Sequence, residues 1–145
     1  MKVAVINCGS DKQVVKCKAK DMYIGSLFVA SRKFAQSNYE QYCILFAKYH
    51  CLLPDDEIEP YDMFLGNFTK KEKQEWWSVT AEQLLKKFPK GTEFDFYVGR
   101  DYLEGLLPVL DKANVKYNCY LNHLGMGYKI QWFNQHTKSV NKKLF

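Results

Sequence analysis

A chain of 145 residues, of which 47% are hydrophobic, can bury a core as one domain without disulfide or metal cross-links. The formal net charge of +5 comes from scattered lysines, so it permits phosphate binding but does not indicate a long nucleic-acid-binding patch. Five cysteines, an odd number with no Cys-x-x-Cys pair, argue against a disulfide framework and a structural zinc site. No stretch is long and apolar enough to span a membrane, and we expect one cytoplasmic domain, residues 1–145, without metal or other cofactor.

The first half of the chain predicts two strands, a helix and a long loop. Residues 3–6 and 41–46 are short apolar runs bounded by polar residues, which is typical of buried strands. Between them, apolar positions at helical spacing predict a helix over 26–37. The segment 47–67 has no clean period and holds two prolines and an acidic run, so we expect a long ordered loop, a kind of segment that is usually functional.

The second half predicts helices that alternate with two further strands. Thr69 and Glu72 form a capping-box pattern that opens a helix to about Phe88. Strands follow at 93–98 and 115–121. A helix lies between them, kinked or delayed by Pro108, and a last helix reaches Val140.

This alternation predicts an α/β fold, a three-layer αβα sandwich with a mostly parallel sheet of about four strands. Ligands of such sheets bind beyond the carboxyl ends of the strands. The predicted site is therefore formed by the loops that follow the four strands, residues 8–12, 47–62, 99–102 and 122–127.

The loop after the first strand carries groups suited to an anion. Gly9 lets a ligand approach the backbone, and Ser10 and Lys12 can hold a phosphate, although an ordinary turn explains the same residues. Cys8 as a nucleophile would need a neighbouring base, which no sequence feature supplies. Ser26, at the start of the first helix, either caps that helix or binds an anion there.

The long loop adds candidate catalytic groups. Lys48 and Asp62 are the predicted catalytic residues, with Asp62 orienting a water molecule, and Tyr61 is suited to stacking on a base. Gly125 and Gly127 leave room for a ligand at the start of the last helix. The acidic run at 55–59 lacks the spacing of a calcium loop, and no metal site is predicted.

Several short motifs recur together in a family of short bacterial and phage proteins without a settled activity, which this sequence resembles over nearly its whole length. They are Cys8-Gly9-Ser10 with Lys12, Tyr23-x-Gly25-Ser26-Leu27-Phe28, Ala47-Lys48-Tyr49, Pro60-Tyr61-Asp62, Gly99 with Tyr102, and Leu124-Gly125-x-Gly127. The resemblance implies that Tyr23, Gly99 and Tyr102 join the ligand-binding set. The sequence departs from the family at His50 and Cys51, where Gly-Leu is typical.

More distantly, residues 49–61 are similar to the peroxide-stress protein YaaA, which resembles DNA-binding proteins, and the predicted strand order is similar to that of uracil-DNA glycosylases. Two hypotheses of different classes are open. The first is a protein that binds a nucleotide, nucleoside or nucleic acid at the strand ends, with action on an N-glycosidic bond as an option. The second is a non-catalytic interaction module, such as a phage protein that binds a host protein, because aromatic residues are abundant.

Overall fold

The computed structural model describes residues 1–138. Its strands are β1 (Lys2–Asn7), β2 (Cys17–Lys18), β3 (Gln41–Phe46), β4 (His50–Leu52), β5 (Glu57–Ile58), β6 (Glu93–Tyr97) and β7 (Tyr117–Cys119). Its helices are α1 (Ala19–Met22), α2 (Ser26–Asn38), α3 (Lys70–Lys87), α4 (Arg100–Leu103), α5 (Leu106–Lys112) and α6 (Met126–His136). The predicted end of the last helix at Val140 lies outside the described residues.

The main sheet has five strands in the order β4-β3-β1-β6-β7. The strands β3, β1, β6 and β7 are parallel, and β4 pairs antiparallel with β3 at one edge. The predicted mixed α/β class and the four parallel strands are confirmed, and β4 was missed. A separate pair, β2 with β5, joins the loop after β1 to the loop after β4.

The expectation of a loop without strands over 47–67 was therefore wrong. A three-residue turn, 47–49, joins β3 to β4, and Phe46 pairs with His50 across it. His50 adopts a left-handed conformation with φ 65°. A glycine is the usual signal for such a residue at a short hairpin, and the sequence has a histidine there, so the hairpin was not recognised.

The helix starts follow local capping chemistry. The Thr69 hydroxyl accepts from the Glu72 N–H at 3.2 Å, and the Glu72 carboxylate accepts from the Thr69 N–H at 2.8 Å, which confirms the capping box of α3. Gly25 is the N-cap of α2, so Ser26 is its first helical residue and does not cap it. The single helix that was expected to be kinked or delayed by Pro108 is two helices, since Gly105 separates α4 from α5.

The central strands are buried on both faces, which explains their continuous apolar sequence. Side chains of β6 alternate between the two faces. The Phe94 ring packs on Phe88 after α3, with ring centres 5.7 Å apart, whereas the Tyr97 ring packs on Phe34 of α2 at 5.1 Å. Helix α2 contacts α6, and α3 contacts α5. Within the described residues, no helix is long and apolar enough to cross a membrane.

The topology creates one crevice at the carboxyl ends of the strands. From β1 the chain passes to β3 on one side and then crosses to β6 on the other side. In open parallel sheets, the point where strand order reverses is where loops diverge and ligands bind. Here that point lies between β1 and β6.

Candidate functional site

Asn7, the last residue of β1, ties together the two loops that border the crevice. Its Nδ2 donates to the carbonyl oxygen of Cys8 at 2.8 Å, and its Oδ1 accepts from the backbone N–H of Gly99 at 3.2 Å. The Cys8 N–H continues the ladder to β3 by donating to the Leu45 carbonyl oxygen at 3.0 Å. Asn7 is not among the residues predicted for the site, because a polar residue at a strand end carries no distinctive pattern.

The Cys8 side chain lies among three tyrosines, which we call the Cys8–tyrosine cluster: Cys8, Tyr23, Tyr61 and Tyr102. The Cys8 Sγ is 3.4 Å from the Tyr102 hydroxyl and 4.0 Å from the Tyr61 hydroxyl. Tyr23 is 5% exposed, and its ring centre is 5.7 Å from that of Phe46, on which Tyr61 also packs. Three segments distant in sequence supply these rings, so the structure brings together four residues that the sequence analysis named separately.

Burial determines the protonation of the cluster. It raises the pKa of Tyr61 and of Tyr102 well above the ordinary value, and the proximity of Cys8 raises both further. Burial likewise raises the pKa of Tyr23. The three phenols therefore remain protonated at neutral pH and can act as hydrogen-bond donors toward sulfur or toward a ligand atom.

A cavity of about 50 Å³ opens on the other side of the Cys8 backbone. It is lined by Asn7, Cys8, Gly9, Leu27, Phe28, Ser31, Tyr97, Lys129 and Phe133. Lys129 of α6 is its charged lining residue. Pockets that enclose whole drug-sized ligands measure roughly 300–1,000 Å³, so this cavity can receive only part of a ligand.

A buried carboxylate lies behind the cavity. Asp95 is 3% exposed; its Oδ2 accepts from the Tyr39 hydroxyl at 2.7 Å and its Oδ1 accepts from Asn118 Nδ2 at 2.8 Å. The Tyr39 and Tyr97 hydroxyls are 2.7 Å apart. Burial raises the pKa of Tyr97 to about 12. The alternation of β6 places Asp95 and Tyr97 on one face, a signal from which the sequence analysis drew no site.

Of the predicted ligand-binding loop residues, Gly9 lines the cavity. Ser10, Lys12, Ser26 and Gly99 are not part of its lining. Gly9 and Ser10 are in an exposed turn, and Lys12 forms a backbone bridge with Tyr23, next to the Cys8–tyrosine cluster. Ser26 is exposed at the start of α2. Gly99 is the N-cap of α4.

The two glycines of the last loop lie at the start of α6, as predicted. Gly125 is the N-cap of α6 and Gly127 is in its first turn. Apart from their chain neighbours and the backbone of α6 itself, no atom of residues 1–138 lies within 4 Å of the position that a Cβ would take at either glycine. The surface there is open to a ligand.

The predicted catalytic pair lies outside the Cys8–tyrosine cluster. The exposed Lys48 side chain extends over the Tyr49 ring, with Nζ 5.5 Å from the ring centre. Asp62 is exposed and has no side-chain hydrogen bond or ion pair with any residue of 1–138. Tyr61 is only 8% exposed and packs edge-on against Tyr49 and Phe46, so it offers its hydroxyl and not an open stacking face.

Over residues 1–138, no group of three or more histidine, cysteine, aspartate or glutamate side chains has a geometry that could hold a metal ion. The chain was also compared with known proteins. Residues 3–135 match the sequence model of a family described as a family of unknown function (DUF6884). Among curated proteins, no significant match was found.

Proposed function

The chain belongs to DUF6884, a family of unknown function, and we propose that it binds a nucleotide or nucleoside, free or within a nucleic acid, at the carboxyl ends of β1 and β6. The observation that best supports this proposal is the cavity at the reversal of strand order, where Cys8, Tyr97 and Lys129 meet. Parallel sheets bind nucleotides at this position in many unrelated proteins.

The phosphate or another anionic group would be held at the exposed loops. Lys12 and Lys129 supply positive charge, and Ser10 supplies a hydroxyl. The first turn of α2, which begins at Ser26 and has no side-chain cap, offers backbone N–H groups and the positive end of the helix dipole. These donors lie on two sides of the crevice, an arrangement that suits a ligand extending across it.

The uncharged part of the ligand would enter the small cavity. Its apolar lining from Leu27, Phe28 and Phe133 would cover a ring edge, and the hydroxyl-bearing residues of the lining are Ser31 and Tyr97. Because the cavity holds only about 50 Å³, the ribose and phosphate would remain outside it. Such binding would discriminate between substituents on the ring edge that enters the cavity. It would not discriminate between groups attached to the part of the ring that remains outside.

Hydrolysis of an N-glycosidic bond is the reaction that this arrangement would support. Water would add to the anomeric carbon as the bond to the base nitrogen breaks, and that nitrogen would take the proton. Asp62 would polarise the water and Lys48 would stabilise developing negative charge on the base. Both side chains are exposed, Lys48 in the turn between β3 and β4 and Asp62 after β5.

Two architectural interpretations belong to this proposal. The contacts of α2 with α6 and of α3 with α5 support a three-layer αβα arrangement around the sheet. The resemblance to YaaA and to uracil-DNA glycosylases that the sequence motifs and the strand order suggest would agree with a nucleobase as the recognised group. Fold similarity alone does not establish an activity.

The test is a thermal-shift and calorimetric binding panel of nucleotides, modified nucleosides and short single- and double-stranded DNA and RNA, at low and physiological salt. We expect one class of nucleoside or nucleotide to raise the melting temperature with little dependence on salt. A steep salt dependence with any nucleic acid would instead indicate backbone binding.

Three variants assign the roles, with Lys33→Ala, an exposed lysine of α2, as the matched control. Lys12→Ala should weaken nucleotide binding by about tenfold, a loss of about 1.4 kcal/mol. Lys48→Ala and Asp62→Asn should leave binding nearly unchanged and abolish base release. If all three variants bind and react as the wild-type chain does, the proposed assignment is wrong.

A non-catalytic interaction module is the second candidate function. It is favoured by large apolar side chains exposed around the same loops, with Val14 89% exposed, Tyr128 69%, and Met126 and Phe64 66% each. Such residues are common anchors of protein interfaces. Affinity capture of a host protein that is lost in Phe64→Ala and Tyr128→Ala, together with no response to any nucleotide, would favour this function over the first.

A further inference from the structure

A second concave surface lies at the amino ends of the strands, where β6 and β7 begin, opposite the carboxyl ends that border the crevice. This surface, the amino-edge groove, has a volume of about 610 Å³ and lies between the end of α3 and the turn from α5 to β7. Its apolar lining comes mainly from Leu84, Leu85, Phe88, Phe94 and Val115. Leu85 is 43% exposed on its wall, so an apolar side chain of the folded chain faces solvent there.

The charged side chains that line the groove are all positive. Lys90 and Lys116 are the charged residues in its lining, and neither forms an ion pair with any residue of the described part of the chain. Two carboxylates on the bordering elements make their direct contacts with residues outside the groove, although the pKa of the Glu93 carboxyl, lowered first by its hydrogen bond with Asn118, is also lowered by the nearby Lys116. Glu93 lies 3.4 Å from the Lys2 Nζ, and Asp111 accepts from the Tyr117 hydroxyl at 2.8 Å.

The lining of the groove is better suited to bind amino-acid side chains than nucleobases. The aromatic rings of the groove, Phe88 and Phe94, are 5% and 1% exposed and pack on each other, so neither presents a free face for stacking. What remains accessible is an aliphatic wall beside two unpaired ammonium groups. A volume of about 610 Å³ lies within the roughly 300–1,000 Å³ of pockets that enclose a compact ligand.

We propose that the amino-edge groove binds a segment of a partner protein that presents apolar side chains flanked by carboxylates. The apolar side chains fill the floor against Leu85, and the carboxylates pair with Lys90 and Lys116. This is charge complementarity of the kind that sets orientation and on-rate at interfaces, combined with the groove recognition of amphipathic segments. The groove is at the far edge of the sheet from the nucleotide site, so this inference does not depend on the proposed function.

The test is a selection of a random peptide library on the full chain, followed by anisotropy titration of the enriched peptides. We expect enriched peptides with a net negative charge and large apolar residues at regular spacing. Their affinity should fall at least about tenfold in Lys90→Glu/Lys116→Glu and in Leu85→Glu. Lys33→Glu, in helix α2, makes the same substitution at one exposed site outside the groove, with half the charge change of the double variant, and should leave affinity unchanged.

Reversing the charges of both the groove and the peptide should restore binding, a result that a misfolded variant could not produce. Peptides in which every Glu and Asp is replaced by Lys should bind Lys90→Glu/Lys116→Glu more tightly than the wild-type chain. The proposal is overturned if enriched peptides are not acidic, if none responds to the groove variants, or if Lys33→Glu weakens them equally. It is also overturned if decanoate displaces them with comparable affinity, or if Leu85→Glu abolishes self-association in sedimentation, because the occupant would then be a small acid or a second copy.

Discussion

His50 provides a sharp test of backbone conformation at the rim of the site. Its φ of 65° costs an L-residue roughly 1–2 kcal/mol, and a glycine would adopt it freely. The histidine offsets this strain by stacking on Trp76, with ring centres 5.9 Å apart and planes at 24°. Both His50→Ala and His50→Gly lose the stacking, but only the glycine variant loses the strain.

We therefore expect His50→Gly to be more stable than His50→Ala by about 1 kcal/mol, which corresponds to roughly 3–5 °C in melting temperature for a domain of this size. The matched control is Leu52, two residues further along β4, which is outside the positive-φ region. There the order should invert, with the glycine variant less stable than the alanine variant by about 0.5–1 kcal/mol. Urea denaturation of the four variants measures both differences.

His50 also makes the folding stability depend on pH in the acid range. Burial lowers the pKa of His50 below its ordinary value of 6.5, so between these two values the unfolded chain binds more protons than the folded chain. Stability due to neutral His50 is thus fully present above about pH 6.5 and is lost as the pH falls through the folded-state pKa. His50→Gly should lose that part of the acid dependence. Equal stability of the glycine and alanine variants, or the same inequality at Leu52, would refute the conformational assignment.

Further predictions concern buried and crowded positions. Thr80 is fully buried and its hydroxyl has no partner within residues 1–138, so Thr80→Val should raise stability by about 1 kcal/mol while Thr80→Ser lowers it, as denaturation will show. A Cβ at Gly105 would lie 1.8 Å from the Trp77 ring, so Gly105→Ala should cost about 1–3 kcal/mol by calorimetry. A Cβ at Gly66 would meet the Phe64 ring at 2.4 Å, but that ring is 66% exposed and can swing away, so Gly66→Ala should change stability by less than about 0.5 kcal/mol.

The sequence predicted the elements whose signal is local. Buried parallel strands such as 3–6 and 41–46 are continuous apolar runs, and the capping box of α3 consists of two residues close in sequence. The strands and the start of α3 were therefore predicted correctly. The β3–β4 hairpin was missed because its turn depends on one strained histidine instead of a glycine. One helix, kinked or delayed by Pro108, was expected where the fold has two, because proline is the stronger helix-breaking signal and the actual separation is at Gly105.

The meeting of the loops after β1 and β6 was predictable from the sequence, but the contacts between their side chains were not. Topology places the loops after β1 and β6 together, which sequence alternation implies. The convergence of Tyr23, Tyr61 and Tyr102 on Cys8 depends on tertiary packing of three loops, and no local pattern encodes it. The burial of Tyr61 likewise results from packing, which is why a stacking role was expected for a ring that the fold covers.

Amide shift mapping of the ¹⁵N-labelled chain tests the proposed nucleotide site most directly. A nucleoside monophosphate series is titrated into the protein, and the glycine amides report both edges of the sheet in one spectrum. We predict saturable shifts at Gly9, Gly99 and Gly127, beside the crevice between β1 and β6, with Gly91 at the opposite edge unchanged. Shifts confined to Gly91, or none at saturating concentrations of any member of the series, would contradict a nucleotide site at the carboxyl ends of the strands.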